Sequence, residues 1–179
     1  MSITPFENIH PEIHTSCYIA HSAEIIGSVT AARDSSFWPC SVVRGDVNKI
    51  SIGTMTNIQD HSMLHVTHDS PYNPKGFPLI IGDYITIGHH VTLHGCTIDN
   101  YCLIGIGSII LDNVTIKSNT YIAAGSLVPP NKTLDSGYLW MGNPVKKHRK
   151  LTENEIEFIK YSAEHYHRLQ KKYSTHAQD

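Results

Sequence analysis

Apolar residues recur at every sixth position through most of this chain. The series runs Ile13, Ile19, Ile25, Ala31, Phe37 and Val43, then resumes after a three-residue slip at 48–50 as Ile52, Ile58 and Leu64. It restarts at Ile81, Ile87 and Leu93, loses one residue, and continues at Ile98, Ile104, Ile110, Ile116, Ile122 and Val128, which makes eighteen positions. Small or β-branched residues stand four places after these, as at Cys17, Ala23, Val29, Ser35, Ser41 and Val47. A period of six spreads apolar side chains around a 3.6-residue helix, whereas short strands divided by turns keep them together. The pattern predicts stacked short strands.

Two stretches leave the frame. Residues 66–80, VTHDSPYNPKGFPLI, carry three prolines and a glycine and read as a loop thrown out of the repeat. Near the end, Thr152 and Glu155 form a capping box, and Ile156, Ile159, Ala163, Tyr166, Leu169 and Tyr173 give an apolar stripe at helical spacing. A helix from about 152 to 174 is expected. The chain thus divides into a repeat region over 1–150, with its loop at 66–80, and a helix with a tail over 151–179.

The motif [LIV]-G-x-x-[STAV]-x, seen in IGDYIT and IGHHVT from Ile81 onward, resembles the hexapeptide-repeat family. That resemblance implies an all-β fold, a left-handed parallel β-helix with three strands per coil. Handedness rests on the resemblance alone, since parallel crossovers are ordinarily right-handed. Eighteen positions make six coils, and at ~4.8 Å between stacked strands the prism is roughly 29 Å tall. Gly142-Asn143-Pro144 followed by basic residues resembles the exit segment of the same proteins.

Composition narrows the classes of function. A chain of 179 residues can bury one substantial core, and a formal net charge of -2 with no long basic run does not suggest nucleic acid or lipid as a partner. No window holds the ~20 apolar residues of a membrane span. The four cysteines contain no CxxC pair and the first residues lack the regions of a signal peptide, so a reducing cytoplasm is expected. Thirteen histidines exceed what packing requires and direct attention to metal or proton chemistry.

Counting along the frame puts Val43, Leu64 and Leu93 on one face, with the slip and the loop treated as bulges. The residues after them, Arg44, His65 and His94, then stack on successive coils. Two imidazoles one strand spacing apart can share a tetrahedral Zn²⁺ at ~2.0 to 2.1 Å per bond. Ile58 and Ile87 correspond on another face, so Asp60 lies one coil from His89, and His89 leaves from a different edge of the prism. A threefold homotrimer sets edge against edge and gathers the three histidines between subunits. His90 points the other way, His61 reads as a turn residue, Cys17 and Cys102 fall at inward positions, and Cys96 adjoins the site.

Together QDHSMLH and GHHVTLHGC resemble the γ-class carbonic anhydrase family over roughly residues 10 to 150. The resemblance implies a metal held by His65 and His94 of one subunit and His89 of its neighbour. Zn²⁺ is expected, with Fe²⁺ or Co²⁺ also suited to three imidazoles. Arg44, Asp46, Gln59 and Asp60, in VVRGD and NIQD, match the family's interface and active-site polar residues, with Arg44 expected to pair with Asp60 of the neighbour and Gln59 to orient solvent. Reversible hydration of CO₂ to bicarbonate is the implied reaction. The family's archaeal prototype carries glutamates on the loop after the first ligand, whereas residues 66–80 offer only His68 and Asp69 as a proton relay. Slow turnover follows from that difference. Other classes remain open: a hexapeptide acyltransferase or CoA-thioester hydrolase, and a trimeric metal-binding scaffold with little turnover.

Overall fold

The computed structural model describes residues 2–176, so the last residues of the expected tail lie outside the described residues. Short parallel strands pair with the strands one coil above and below, and the chain climbs through three faces per coil. On the first face Ile13, Ala31, Ile52, Ile81, Ile98, Ile116 and Leu134 stand in register. The second face carries Ile19, Phe37, Ile58, Ile87, Ile104, Ile122 and Trp140. Ile25, Val43, Leu64, Leu93, Ile110 and Val128 share the third. All eighteen repeat positions are therefore placed as their spacing predicts, and Leu134 and Trp140 carry the stack further. Parallel strands covered on their inner side pack these residues into one continuous core.

The slip at 48–50 is a bulge. Within the long strand Val42–Ile52, Gly45 pairs with Gly27 and Ile50 with Val29, so the extra residues swell out between two faces. Val47 rides on that swelling and is exposed instead of facing inward. Elsewhere the small residues four places along do point inward, and their hydroxyls bond turn carbonyls, as Ser62 Oγ does to Gly88 O at 2.9 Å and Ser35 Oγ to Gly53 O at 2.6 Å. Buried hydroxyls need such acceptors.

The corners follow a rule of their own. Three places after a repeat residue the backbone turns left-handed, at Asp34, Cys40, Met55, His61, Tyr84, His90, Tyr101, Asn113, Asn119 and Asn131 and at Gly107, Gly125 and Gly137. The upper coils use Asn and Gly, which tolerate this conformation. Lower down, bulkier corner side chains stack one coil above another, as His90 does on His61, with ring centroids 4.9 Å apart.

The loop at 66–80 is stapled at its base. Thr67 and Phe77 exchange backbone hydrogen bonds, Asn48 Nδ2 donates to the carbonyls of Thr67 and Lys75, and Asp69 Oδ1 accepts from the Lys75 N–H.

The helix α1, Glu153–His176, lies along the second face. Ile159 and Ala163 are buried there, and Trp38 anchors the contact with its ring 5.3 Å from Tyr166, 5.2 Å from Tyr173 and 5.2 Å from Tyr18. At its start Thr152 Oγ1 accepts from the Glu155 N–H, while Glu155 accepts from the Thr152 N–H and from Arg149. The Arg149 guanidinium, followed by the Thr152 N–H, lowers the Glu155 carboxyl from near 4.5 to about 2. The unfolded chain then binds a proton more readily than the folded one, so this anchorage is at full strength above pH 4.5 and fades as pH falls toward 2. Glu155→Gln is expected to lower stability at pH 7 by about 0.5 to 1 kcal/mol. Paired urea titrations should show the gap narrowing below pH 4.5; a gap undiminished at pH 2 would refute the assignment.

Candidate metal centre

Stacking of the third face sets the centre. Leu93 pairs with Leu64, and His94 with His65 directly below it. His65 Nδ1 lies 3.0 Å from His94 Nε2. One coil below, Val43 pairs with Leu64, which brings Arg44 to the foot of the same column. Arg44 bonds Asp46 in its own chain, and Asp46 Oδ1 lies 3.0 Å from His65 Nε2.

His89 leaves from the corner between the second and third faces. Ile87 pairs with Ile58, and His89 Nδ1 reaches Asp60 Oδ2 at 2.8 Å. Within the chain Asp60 thus holds His89 while Arg44 holds Asp46. Among the described residues no three ligating side chains converge within the chain, which brings together His65 and His94 and leaves His89 on its own corner.

A third carboxylate escaped the sequence reading. Asp112 Oδ1 lies 2.6 Å from His94 Nδ1, with Thr67 Oγ1 at 3.4 Å from the same nitrogen. Asp112 stands two places after Ile110, as Asp60 stands two places after Ile58, and Ile110 pairs with Leu93. The same count sets Asp112 over Gly95, not over His94, so it does not reveal this contact. Gly95 makes the reach possible, because a Cβ there would collide with the Asp112 carboxylate and lie 2.8 Å from the Phe77 Cβ.

Each of the three histidines therefore has one ring nitrogen on a carboxylate, and the other nitrogens of His65 and His94 face each other. His65 pairs with Asp46 through Nε2, whereas His89 and His94 pair with Asp60 and Asp112 through Nδ1. Ligating imidazoles are oriented in this way by outer carboxylates. Two nitrogens 3.0 Å apart can also enter one ion's shell at ~2.0 to 2.1 Å per bond. The donor set fits a divalent ion. Burial, reinforced by the Arg44 charge, lowers the His65 pKa against the opposing pull of Asp46, which favours the neutral ring that a metal needs. Asp46 is held below the usual carboxylate range, since the hydrogen bonds from His65 and Arg44 and the Arg44 charge outweigh its burial.

The remaining candidates separate. Gln59 is buried and donates Nε2 to Asn57 Oδ1 at 3.1 Å. His68 is exposed on the loop, whereas Asp69 is committed to the loop backbone. His61 is a corner residue, as expected, and His90 is one too, not an alternating strand residue. Cys96 is inside the prism, where burial pushes its thiol above the ordinary range, and Cys102 is likewise raised to about 12. Neither offers a thiolate to the centre.

Comparison with known proteins places this geometry. The chain is 49% identical to protein YrdA of Escherichia coli over 96% of its own length and 93% of that protein. It is 40% identical to a carbonic anhydrase of Geobacillus kaustophilus over 86% of its length and 81% of that enzyme. The chain belongs to the γ-carbonic anhydrase-like family of hexapeptide-repeat proteins. Residues 95–130 match the family described as bacterial transferase hexapeptide, six repeats. The crystal structure of a hexapeptide transferase family protein from Anaplasma phagocytophilum superposes with a TM-score of 0.89 at 38% identity, covering 96% of this chain and 98% of that one. Carbonic anhydrase relatives support a lyase-type enzyme with a metal in this γ-like family.

Asp112 supplies the test of the outer carboxylates. Asp112→Asn is expected to weaken Zn²⁺ binding by about 10- to 100-fold in calorimetric titration with little change in the folded structure. Unchanged affinity would show that the Asp112 contact does not orient His94.

Proposed function

We propose that the protein is a Zn²⁺-dependent homotrimer that hydrates CO₂ reversibly to bicarbonate. The observation that carries this reading is the placing of His65 and His94 in register beside an uncovered apolar face, with His89 on a separate corner. Each face of the prism has a different exterior. The second is covered by α1, and the first presents a mostly hydroxyl row, Thr30, Ser51, Thr97, Thr115 and Thr133, interrupted by Ile80. The third presents a mostly apolar row, Val42, Met63, Thr92, Ile109 and Leu127, of which Met63 is 38% and Ile109 41% exposed, beside Arg44, His65 and His94. An apolar face of this kind suits burial against another subunit. A second copy covering it brings its own His89 toward the column, and threefold closure repeats the contact.

His65 and His94 with a neighbour's His89 would hold the ion there, and its Lewis acidity would make water a nucleophile at neutral pH. The chain's residues do the rest. Asp46, Asp60 and Asp112 orient the imidazoles, and Arg44 pins Asp46. Gln59 uses its NH₂ group on Asn57 and presents its carbonyl oxygen to orient solvent. CO₂ needs little positioning, but its hydration releases a proton, and His68 is the loop group suited to carry it. The four free cysteines and the absence of any described helix long and apolar enough to cross a membrane support a cytoplasmic setting.

Two measurements test the reading. His89→Ala and His65→Ala subunits should each lose Zn²⁺ alone, while randomly mixed trimers recover about a quarter of wild-type metal, because each mixed ring rebuilds one site. No recovery in verified mixed trimers would sink the shared-site arrangement. Stopped-flow CO₂ hydration is expected to be slow in a poorly shuttling buffer and to rise with added imidazole, because an exogenous base replaces a weak relay. Fast turnover without imidazole that survives His68→Ala would place the relay elsewhere, and no turnover in any buffer by the fully metallated trimer would remove the hydration assignment.

A further inference from the structure

A groove of about 350 Å³ runs between α1 and the second face, with His89 and Gln59 at its border. It exists because of a gap in one outward row. Trp38 and Gln59 stand two coils and one coil below Gly88, and Gly105 lies above it, each one place after its repeat residue. Side chains are excluded at both glycines, since a Cβ on Gly88 would lie 2.9 Å from Ile104 O, and one on Gly105 2.5 Å from Ala124 N. The helix bridges the gap without filling it, and Leu103, Ile106, Ala124, Phe158 and Tyr166 form apolar walls.

Two features define what fits. Among the described residues no Lys, Arg, Asp or Glu lines the groove, so an uncharged occupant loses no ion pairing on entry and a charged one finds no carboxylate, ammonium or guanidinium partner. A directed hydrogen-bond chain also ends there: Gln59 Nε2 donates to Asn57 Oδ1, Asn57 Nδ2 to Thr86 Oγ1, and Thr86 Oγ1 to Ser162 Oγ. With its lone pair used by Thr86, the Ser162 hydroxyl keeps its proton to donate, and Gln59 keeps a carbonyl oxygen to accept. One donor and one acceptor thus border an apolar trough. CO₂ has three heavy atoms, whereas 350 Å³ is the scale of a small organic ligand.

We propose that this groove is a binding site for a neutral acyl compound, an amide or ester whose carbonyl oxygen accepts from Ser162 and whose alkyl chain lies against Leu103, Ile106 and Phe158. It extends the proposed centre to a substrate class larger than CO₂, and its use in turnover, though not its occupancy, rests on that reading.

The test uses the unbranched primary amides from acetamide to hexanamide, which resist cleavage, titrated into the full-length protein with and without bound Zn²⁺ and followed by calorimetry or ligand-detected NMR. Affinity is expected to rise by up to about fourfold per added methylene. Ala124→Trp, at an exposed position, fills the trough and is expected to flatten that rise. Ser162→Ala should weaken every amide by about two- to tenfold with the rise intact. A flat series in the wild-type protein, or a rise unaffected by Ala124→Trp, would overturn the proposal. Failure to take up Zn²⁺ overturns the metal reading instead and leaves the chain-length series as an independent result.

Discussion

Coil-to-coil register is the constraint on which everything else in this molecule depends. Parallel strands stack at ~4.8 Å, and a side chain at a given hexad position finds its counterpart one coil away directly above it. That is why a count along the chain becomes a distance across the site. Register survives three irregularities: the bulge in Val42–Ile52, the loop after His65, and the hexad shortened after Leu93. Each irregularity lies in a corner or on the outside, where extra residues cost no core contact. Had the loop shifted the stack by one residue, His65 and His94 would have faced opposite sides of their sheet.

Sequence periodicity reveals inward positions well, because burial of an apolar side chain on every sixth residue is dictated by the repeat itself. The repeat frame, the loop, the helix and the stacking of His65, His94, Asp60 and His89 were all legible for that reason. Corners were less so. Their left-handed residues include Tyr84, Tyr101, Met55 and Cys40, none of which announces a turn as Gly or Asn does. Val47 was misplaced because a slip in period does not say on which side of it the surplus residues bulge.

The partners of the site were harder to read than its members. Asp112 sits across the shortened hexad from His94, and its approach depends on a missing Cβ at Gly95, a fact of backbone proximity with no periodic signature. Arg44 matched an interface residue, yet its contact in the chain is Asp46, two residues along the same strand and on the same side of the sheet. The choice among nearby carboxylates is settled by side-chain reach, which hexad counting does not resolve. Even so, the three pairings obey one logic, in which each imidazole has a carboxylate on one nitrogen and so presents the other in a fixed direction.

The three exteriors explain how a repeat this uniform supports one localised site. Inside the prism each coil is nearly equivalent to the next, so nothing in the core selects a location. Selection comes from what covers each side. Trp38 and its ring of tyrosines fasten α1 to the second face at the lower coils, and the paired glycines above leave the helix standing off the sheet beside His89. The same substitution of glycine for a side chain that permits close coil packing therefore opens the groove. On the third face the apolar row continues past the histidines at Ile109 and Leu127, so contact there with a second copy would seal the column from water on the side away from the loop. Solvent would then reach the imidazoles chiefly past residues 66–80, whose base is stapled by Asn48 and Asp69 and which expose His68. On the proposed reading, proton traffic and substrate entry would be set by different elements, the loop for the first and the helix groove for the second.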